Sequence, residues 1–152
     1  MDAKLVNPFL DAFSSIMPQI GFQEIKRNKM GVKTEAVQSR GVTILVGFTK
    51  NIRGNIAYNM SADTAMFIAS TMMMGMPVTA MDEMAQSAVS EMANMLTANA
   101  ATNLTALGYE ADISTPSLSV GDSFVVKISN EPYLAIEMDL GGHIVELNIS
   151  VQ

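Results

Sequence analysis

Residues 79–108, "TAMDEMAQSAVSEMANMLTANAATNLTALG", contain no proline, and the one glycine is the last residue. Thr79 stands three residues before Asp82, a capping-box-like start, and Gly108 is the expected stop. The stretch therefore predicts one helix, at about 1.5 Å per residue roughly 35–40 Å long, which is long for a chain of this size. Segments of a different period lie on either side of it, and together they set the fold class.

Upstream, Val42, Ile44, Val46 and Phe48 alternate with Thr43, Leu45 and Gly47, and Ile52, Ile56, Tyr58 and Met60 share a face. Before them, residues 22–29 end at "MG" and residues 33–39 at "RG". Alternation broken by such punctuation predicts strands, here an antiparallel meander with one face buried. Downstream, residues 109–115 lead to Pro116, and Phe124, Val126 and Ile128 alternate. Leu134, Ile136, Met138 and Leu140 do so too, as do Val145, Leu147, Ile149 and Val151 after "GG". Two more helices are expected. Leu5, Val6, Phe9, Leu10, Phe13, Ile16 and Met17 recur at helical spacing, with Asn7 as cap and Pro8 at the first position, or a bend there, and Pro18 and Gly21 as the end. "SADTAMFIASTMMMGM" opens with Ser61 as cap and Asp63 in its first turn, and stops at Gly75 and Pro77. Strands, then helices, then strands imply an α+β fold: an antiparallel sheet with the long helix and a second helix packed on one face, plus an N-terminal helix.

At 152 residues the whole chain, 1–152, is expected to be one domain with a proper core. Nine basic residues face fifteen acidic ones, a net charge of −6, so nucleic acid and anionic membranes are poor partners. The basic cluster at Lys26, Arg27, Lys29 and Lys33 reads as a solvated strand or turn face. The absence of cysteine excludes disulfides and thiolate metal sites. "MDAKLVNPFLDAF" has no signal-type apolar run, and nothing later is apolar for long enough to span a membrane, so a cytoplasmic protein is expected. Fourteen methionines, concentrated in "STMMMGMPVTAMDEM", read as filling of core gaps and pliable helix contacts, with Cu(I) binding the competing reading.

On the long helix, Val89, Met92, Leu96 and Leu107 fall on one side. Glu83, Ser87, Glu91, Asn94, Ala98, Ala101 and Thr105 fall in a narrow stripe on the other. Glu91 and Asn94 thus point outward together among small residues that allow close approach. A solvated Glu on a helix needs no function, but a mid-helix Asn competes for backbone hydrogen bonds and is the less expected of the two. Asn99 and Asn103 lie toward the apolar side and need buried partners or an end-of-helix location. His143, the only histidine, stands in "GGHIV", far from any evident nucleophile, and reads as structural. Asp63 and Glu83 suit helix N-termini. No phosphate-cradling loop, dinucleotide fingerprint, GxSxG or HExxH is present.

The run Ser87, three residues, Glu91, two residues, Asn94, with Pro116 further on, resembles the signature of the CheC, CheX and FliY phosphatases of chemotaxis. "MMMGMPVTAMDEMAQSAVSEMANM", "RGNIAYNMS" and "MDAKLVNPFL" are similar to the CheX branch, so the likeness covers nearly the full length. It implies hydrolysis of the aspartyl phosphate of a CheY-type response regulator. By resemblance, Asn94 would orient the attacking water, Glu91 would anchor the partner on a receiver lysine, and Ser87 and Ala98 would contact it. Pro116 would shape the loop behind the helix. The chain would need no cofactor of its own, with Mg²⁺ on the partner, and would form a homodimer joined at its sheet edges. One motif helix implies one site per subunit. The alternative is a non-catalytic adaptor that binds a response regulator or flagellar switch component without turnover.

Overall fold

A computed structural model of the chain describes residues 3–152. A 3₁₀ turn, Ala3–Leu5, leads into α1, Asn7–Ile20. Then come β1 Lys26–Lys33, β2 Val37–Gln38, β3 Gly41–Lys50, β4 Gly54–Met60, α2 Ala62–Met72 and α3 Glu83–Ala106. The chain closes with β5 Ala111–Ile113, β6 Ser117–Gly121, β7 Val125–Val126, β8 Tyr133–Asp139 and β9 Ile144–Val151. The main sheet runs β1-β8-β9-β4-β3-β5, with β6 also on β3, and every ladder in it is antiparallel. The architecture is α+β, as the alternation of strand and helix blocks implies.

The strand periodicity sets the core. Val42, Ile44, Val46 and Phe48 of β3, Ile56, Tyr58 and Met60 of β4, and Val145, Leu147, Ile149 and Val151 of β9 are all buried. Ala85, Val89, Met92, Ala93, Leu96, Ala100 and Leu104 of α3 join the same cluster, as do Phe9, Phe13 and Met17 of α1. Phe9 meets Phe48 edge-on, with ring centroids 5.6 Å apart.

The opposite face of the sheet is less bare than a simple one-sided meander would leave it. Val37, Ala57, Ile128, Tyr133 and Ala135 form a second apolar cluster at the small β2–β7 ladder. Beside it lies a buried polar group. The Glu146 carboxylate, 4% exposed, accepts from Arg40 Nη2 at 2.8 Å, Asn148 Nδ2 at 3.0 Å and Asn59 Nδ2 at 3.4 Å. A buried carboxylate needs such partners, because an uncompensated charge is costly away from water.

Several local expectations are corrected. Pro18 lies inside α1 rather than ending it: so near the C-terminus its missing N–H forfeits only one helical bond, and Gly21, at φ 132°, makes the actual stop. "MG" is no turn, since β1 passes straight through Gly31 on an edge strand exposed along its whole length. The strand expected over residues 33–39 shrinks to β2, the alternation at Phe124–Ile128 yields only β7, and β6 was not foreseen. β1 pairs with β8 and not with the strand that follows it, so the upstream block is no meander. The cap of α3 is Asp82, whose carboxylate accepts from Ala85 N–H at 2.9 Å, and not Thr79. Leu107 is 55% exposed, because the helix has ended at Ala106 before it.

Candidate active site

α3 is fixed to the sheet on one side and free on the other. Beyond its apolar contacts, it is pinned at Thr97, whose hydroxyl donates to Ala93 O at 2.7 Å and meets the Tyr58 hydroxyl at 2.9 Å. Both residues are buried. Burial pushes the Tyr58 phenol far above its ordinary ionisation range, with the bond to Thr97 opposing part of that, so it stays a neutral hydrogen-bond donor. This contact, three residues from Asn94, sets the rotation of the helix about its axis.

The outer stripe follows from that rotation. Glu83, Ser87, Glu91, Ala98 and Thr105 are exposed, and Asn94 and Ala101 are half-buried. Three residues apart, Glu91 and Asn94 are about 4.5 Å apart along the axis and roughly 60° apart around it. Among the described residues neither makes an intramolecular hydrogen bond or ion pair, so both are available to a partner. The serines follow suit. Thr97, Thr102 and Thr105 turn their hydroxyls back onto carbonyls four residues earlier, whereas Ser87 and Ser90 make no such bond among the described residues.

A wall rises beside the stripe from the edge of the sheet. β5 and β6 lie end to end along β3, with Ile113 opposite Phe48 and Ser117 opposite Leu45. Between those pairs β3 has two residues, Val46 and Gly47, and the other strand has three, Ser114, Thr115 and Pro116. The extra residue forms a bulge. Ser114 holds it, donating its N–H to Gly47 O at 2.9 Å and accepting Gly47 N–H on Oγ at 2.8 Å. Pro116 has no N–H to leave unpaired there. The bulge and the helix enclose an open hollow of about 470 Å³ lined by Ser87, Ser90, Glu91, Asn94, Ile113, Ser114, Thr115 and Pro116.

Of the residues singled out in the sequence, Ser87, Glu91 and Asn94 share this hollow, while Ala98 lies further along the stripe outside it. Pro116 sits on the facing wall of the hollow. Ser90, Ser114 and Thr115 went unremarked in the sequence. The pointer to them was Pro116 itself, a proline directly after a short strand with polar neighbours.

The second hollow, about 520 Å³, lies on the other flank of Glu91 and is lined by Met72, Met73, Glu83, Met84, Ser87, Ala88 and Glu91. The methionines of this region divide: Met72, Met73 and Met81 pack half-buried against the core, while Met74, Met76 and Met84 are exposed; Met17, Met60, Met92 and Met138 are fully core. Asn99 and Asn103 have the partners they need: Asn103 Nδ2 donates to Pro8 O at 3.0 Å and to Asn99 Oδ1 at 3.4 Å, tying α3 to the start of α1. His143 stacks on Phe67 with centroids 4.1 Å apart and lines neither hollow. Among the described residues, no three His, Asp or Glu side chains are grouped so as to hold a metal ion, and no helix is long and apolar enough to cross a membrane.

The first hollow offers a carboxylate, a carboxamide and hydroxyls, but no cation and no base paired with a nucleophile. Such a set is suited to binding and orienting rather than to covalent attack. The family described as Chemotaxis phosphatase CheX matches residues 42–139, which span β3 to β8 and include the whole hollow. The chain belongs to the CheX family. It is 31% identical over 128 residues to the CheY-P phosphatase CheX of Thermotoga maritima, covering 84% of this chain and 82% of that protein. A CheX from Borrelia burgdorferi, solved as a CheX-CheY-BeF3-Mg²⁺ complex, superposes with a TM-score of 0.83 at 28% identity over 97% of each chain. A CheC-like superfamily protein from a Shewanella species gives a TM-score of 0.89 at 23% identity over 100% of this chain and 99% of that one. That likeness confirms the α+β fold of this CheX-family chain.

Proposed function

We propose that this chain hydrolyses the aspartyl phosphate of a CheY-type response regulator, with Asn94 placing the attacking water and Glu91 anchoring the partner. The observation that carries the proposal is the pair of unengaged side chains, Glu91 and Asn94, at the mouth of one hollow on a helix otherwise bolted to the sheet. Mg²⁺ would come with the receiver, and the Borrelia complex of CheX with CheY contains BeF3 and Mg²⁺. The carboxamide of Asn94 can accept one hydrogen from a water and donate to it, holding its lone pair in line with the phosphorus–oxygen bond to be broken. Glu91, one turn earlier, reaches outward to a basic group of the receiver, its active-site lysine, and fixes the register of the helix against it. Ser87 contributes a free hydroxyl to the same contact, and Ala98 lets the partner approach further along the stripe. Placement of this kind can account for several powers of ten in rate without a shifted pKa.

The same reading takes residues 1–152 as one cytoplasmic domain acting as a homodimer joined at sheet edges. β1 supports it as the end strand of the sheet, paired on one side only.

The test is phosphate release from acetyl-phosphate-charged CheY-type receivers. Asn94→Ala is expected to lower kcat at least about a hundredfold while binding of a beryllofluoride-charged receiver stays intact. Glu91→Ala is expected to weaken that binding about tenfold or more as well as slow turnover. Unchanged turnover in Asn94→Ala would remove that residue from the mechanism, and unchanged binding in Glu91→Ala would remove the anchor. A wild-type chain that binds receivers without turnover would be an adaptor.

A further inference from the structure

The methionine-rich connection between α2 and α3 is ordered by its backbone, with Met73 and Met81 half-buried against the core and Met74 and Met76 exposed. Gly75 N–H donates to Ser70 O at 2.8 Å, Met74 N–H to Thr71 O at 3.2 Å, and the Ser70 hydroxyl to Met76 O at 2.8 Å. Met74 itself adopts φ 58°, a left-handed conformation uncommon outside glycine, and its side chain is 97% exposed. Met84, in the first turn of α3, is also exposed. It stands seven residues before Glu91 and so lies on the same stripe two turns away. Met72, Met73 and Met84 wall the second hollow, and that hollow shares Ser87 and Glu91 with the one that holds Asn94.

A hollow with an exposed apolar side chain, Met84, at its rim and half-buried Met72 and Met73 behind it marks an interaction site more often than chance. Thioether side chains are unbranched and polarisable, and they adapt to the shape of a partner. What covers this surface follows from its continuity with Glu91: a body seated on Glu91 and Asn94 cannot avoid the adjoining flank. We propose that the hollow walled by Met72, Met73 and Met84 receives an apolar side chain from the receiver domain, from the surface bordering its phosphoaspartate, and thereby sets receiver affinity and choice. The inference rests on the phosphatase reading above and adds a division of labour to it. Asn94 in the polar hollow orients water, Glu91 between the two hollows anchors the partner, and the thioether hollow adds an apolar hold. An apolar occupant is specified because a polar one would lose its water to thioethers that return no comparable hydrogen bond.

The test uses the full chain and the CheY-type receiver whose phosphate it removes fastest, in steady-state hydrolysis with receiver concentration varied. Met84→Gln is isosteric, keeps a good helix former and changes an exposed position, so unchanged circular dichroism is expected. Its KM is expected to rise about tenfold, equivalent to about 1.4 kcal/mol, with kcat within about twofold of wild type. Met84→Leu is expected to restore KM, and Asn94→Ala to lose kcat at unchanged KM. If Met84→Gln leaves KM unchanged, or lowers kcat alone, the docking inference is overturned. Loss of kcat in Asn94→Ala would then still leave the phosphatase reading standing. If Asn94→Ala retains kcat, both fall. A change in molecular mass by light scattering in place of a change in KM would assign the hollow to a second copy of the chain and overturn the inference.

Discussion

The Tyr58–Thr97 contact gives a quantitative test of how α3 is held in the orientation that presents Asn94. The Thr97 hydroxyl has one hydrogen, and that hydrogen is committed to Ala93 O at 2.7 Å. In the 2.9 Å contact with Tyr58, the tyrosine is therefore the donor and Thr97 the acceptor. The two single deletions are then unequal. Thr97→Val keeps the shape but leaves a buried phenol hydroxyl without a partner, at a cost of about 1–3 kcal/mol. Tyr58→Phe removes the donor, leaves Thr97 still bonded to Ala93, and costs about 0.5–1.5 kcal/mol. The double variant removes both polar groups, so it should be more stable than the sum of the singles implies, with a coupling of about 1 kcal/mol. Urea unfolding at 25 °C, followed by circular dichroism and extrapolated linearly, reads all four proteins. Additive singles, or a Tyr58→Phe change as costly as Thr97→Val, would refute the assignment of donor and acceptor.

Two further outcomes follow from the fold. Gly54 opens β4 at φ 140°, and a Cβ there would fall against the Ser150 carbonyl oxygen, so Gly54→Ala should lose more than about 3 kcal/mol in the same urea assay; a neutral substitution would contradict the β4–β9 ladder at that end. Light scattering at micromolar concentration should give the mass of a dimer, and, if β1 forms the junction, added salt should strengthen it by screening Lys26, Arg27, Lys29 and Lys33. A monomer would exclude the edge-joined assembly.

What the sequence disclosed, it disclosed where one face of an element is uniformly apolar and the other is not. β3, β4 and β9 alternate because one face packs under the helices, and α3 shows its stripe because only its inner face is covered. Ser61 and Gly108 were legible as stops and starts for the same local reason, the chemistry of helix ends. The failures have a different origin. Pairing of β1 with β8 joins residues a hundred or more positions apart, and an exposed edge strand carries no hydrophobic period to betray it. Thr79 and Asp82 were both suitable cap residues, and only the path of the chain chooses between them. The methionines of residues 72–84 look alike in composition, yet Met72, Met73 and Met81 pack against the core while Met74, Met76 and Met84 stand outside, a division only the path of the chain decides. Pro116 was visible as part of a motif, but its place on the wall facing Asn94 depends on a three-against-two bulge that only strand register reveals.

Because α3 is secured by the sheet and by α1 and α2, Ser87, Ser90, Glu91 and Ala98 on its outer face are not needed to hold it in place. Substitutions at Ser87, Ser90, Glu91 or Ala98 remove no intramolecular bond found among the described residues, so they can alter what the protein recognises without altering how much of it is folded. Changes at Val89, Met92 or Leu96 do the reverse, lowering the folded population while leaving the recognition surface chemically the same. The helix thus separates two kinds of variation, and partner preference in such a scaffold can drift or be redesigned along one face while the other face keeps abundance constant.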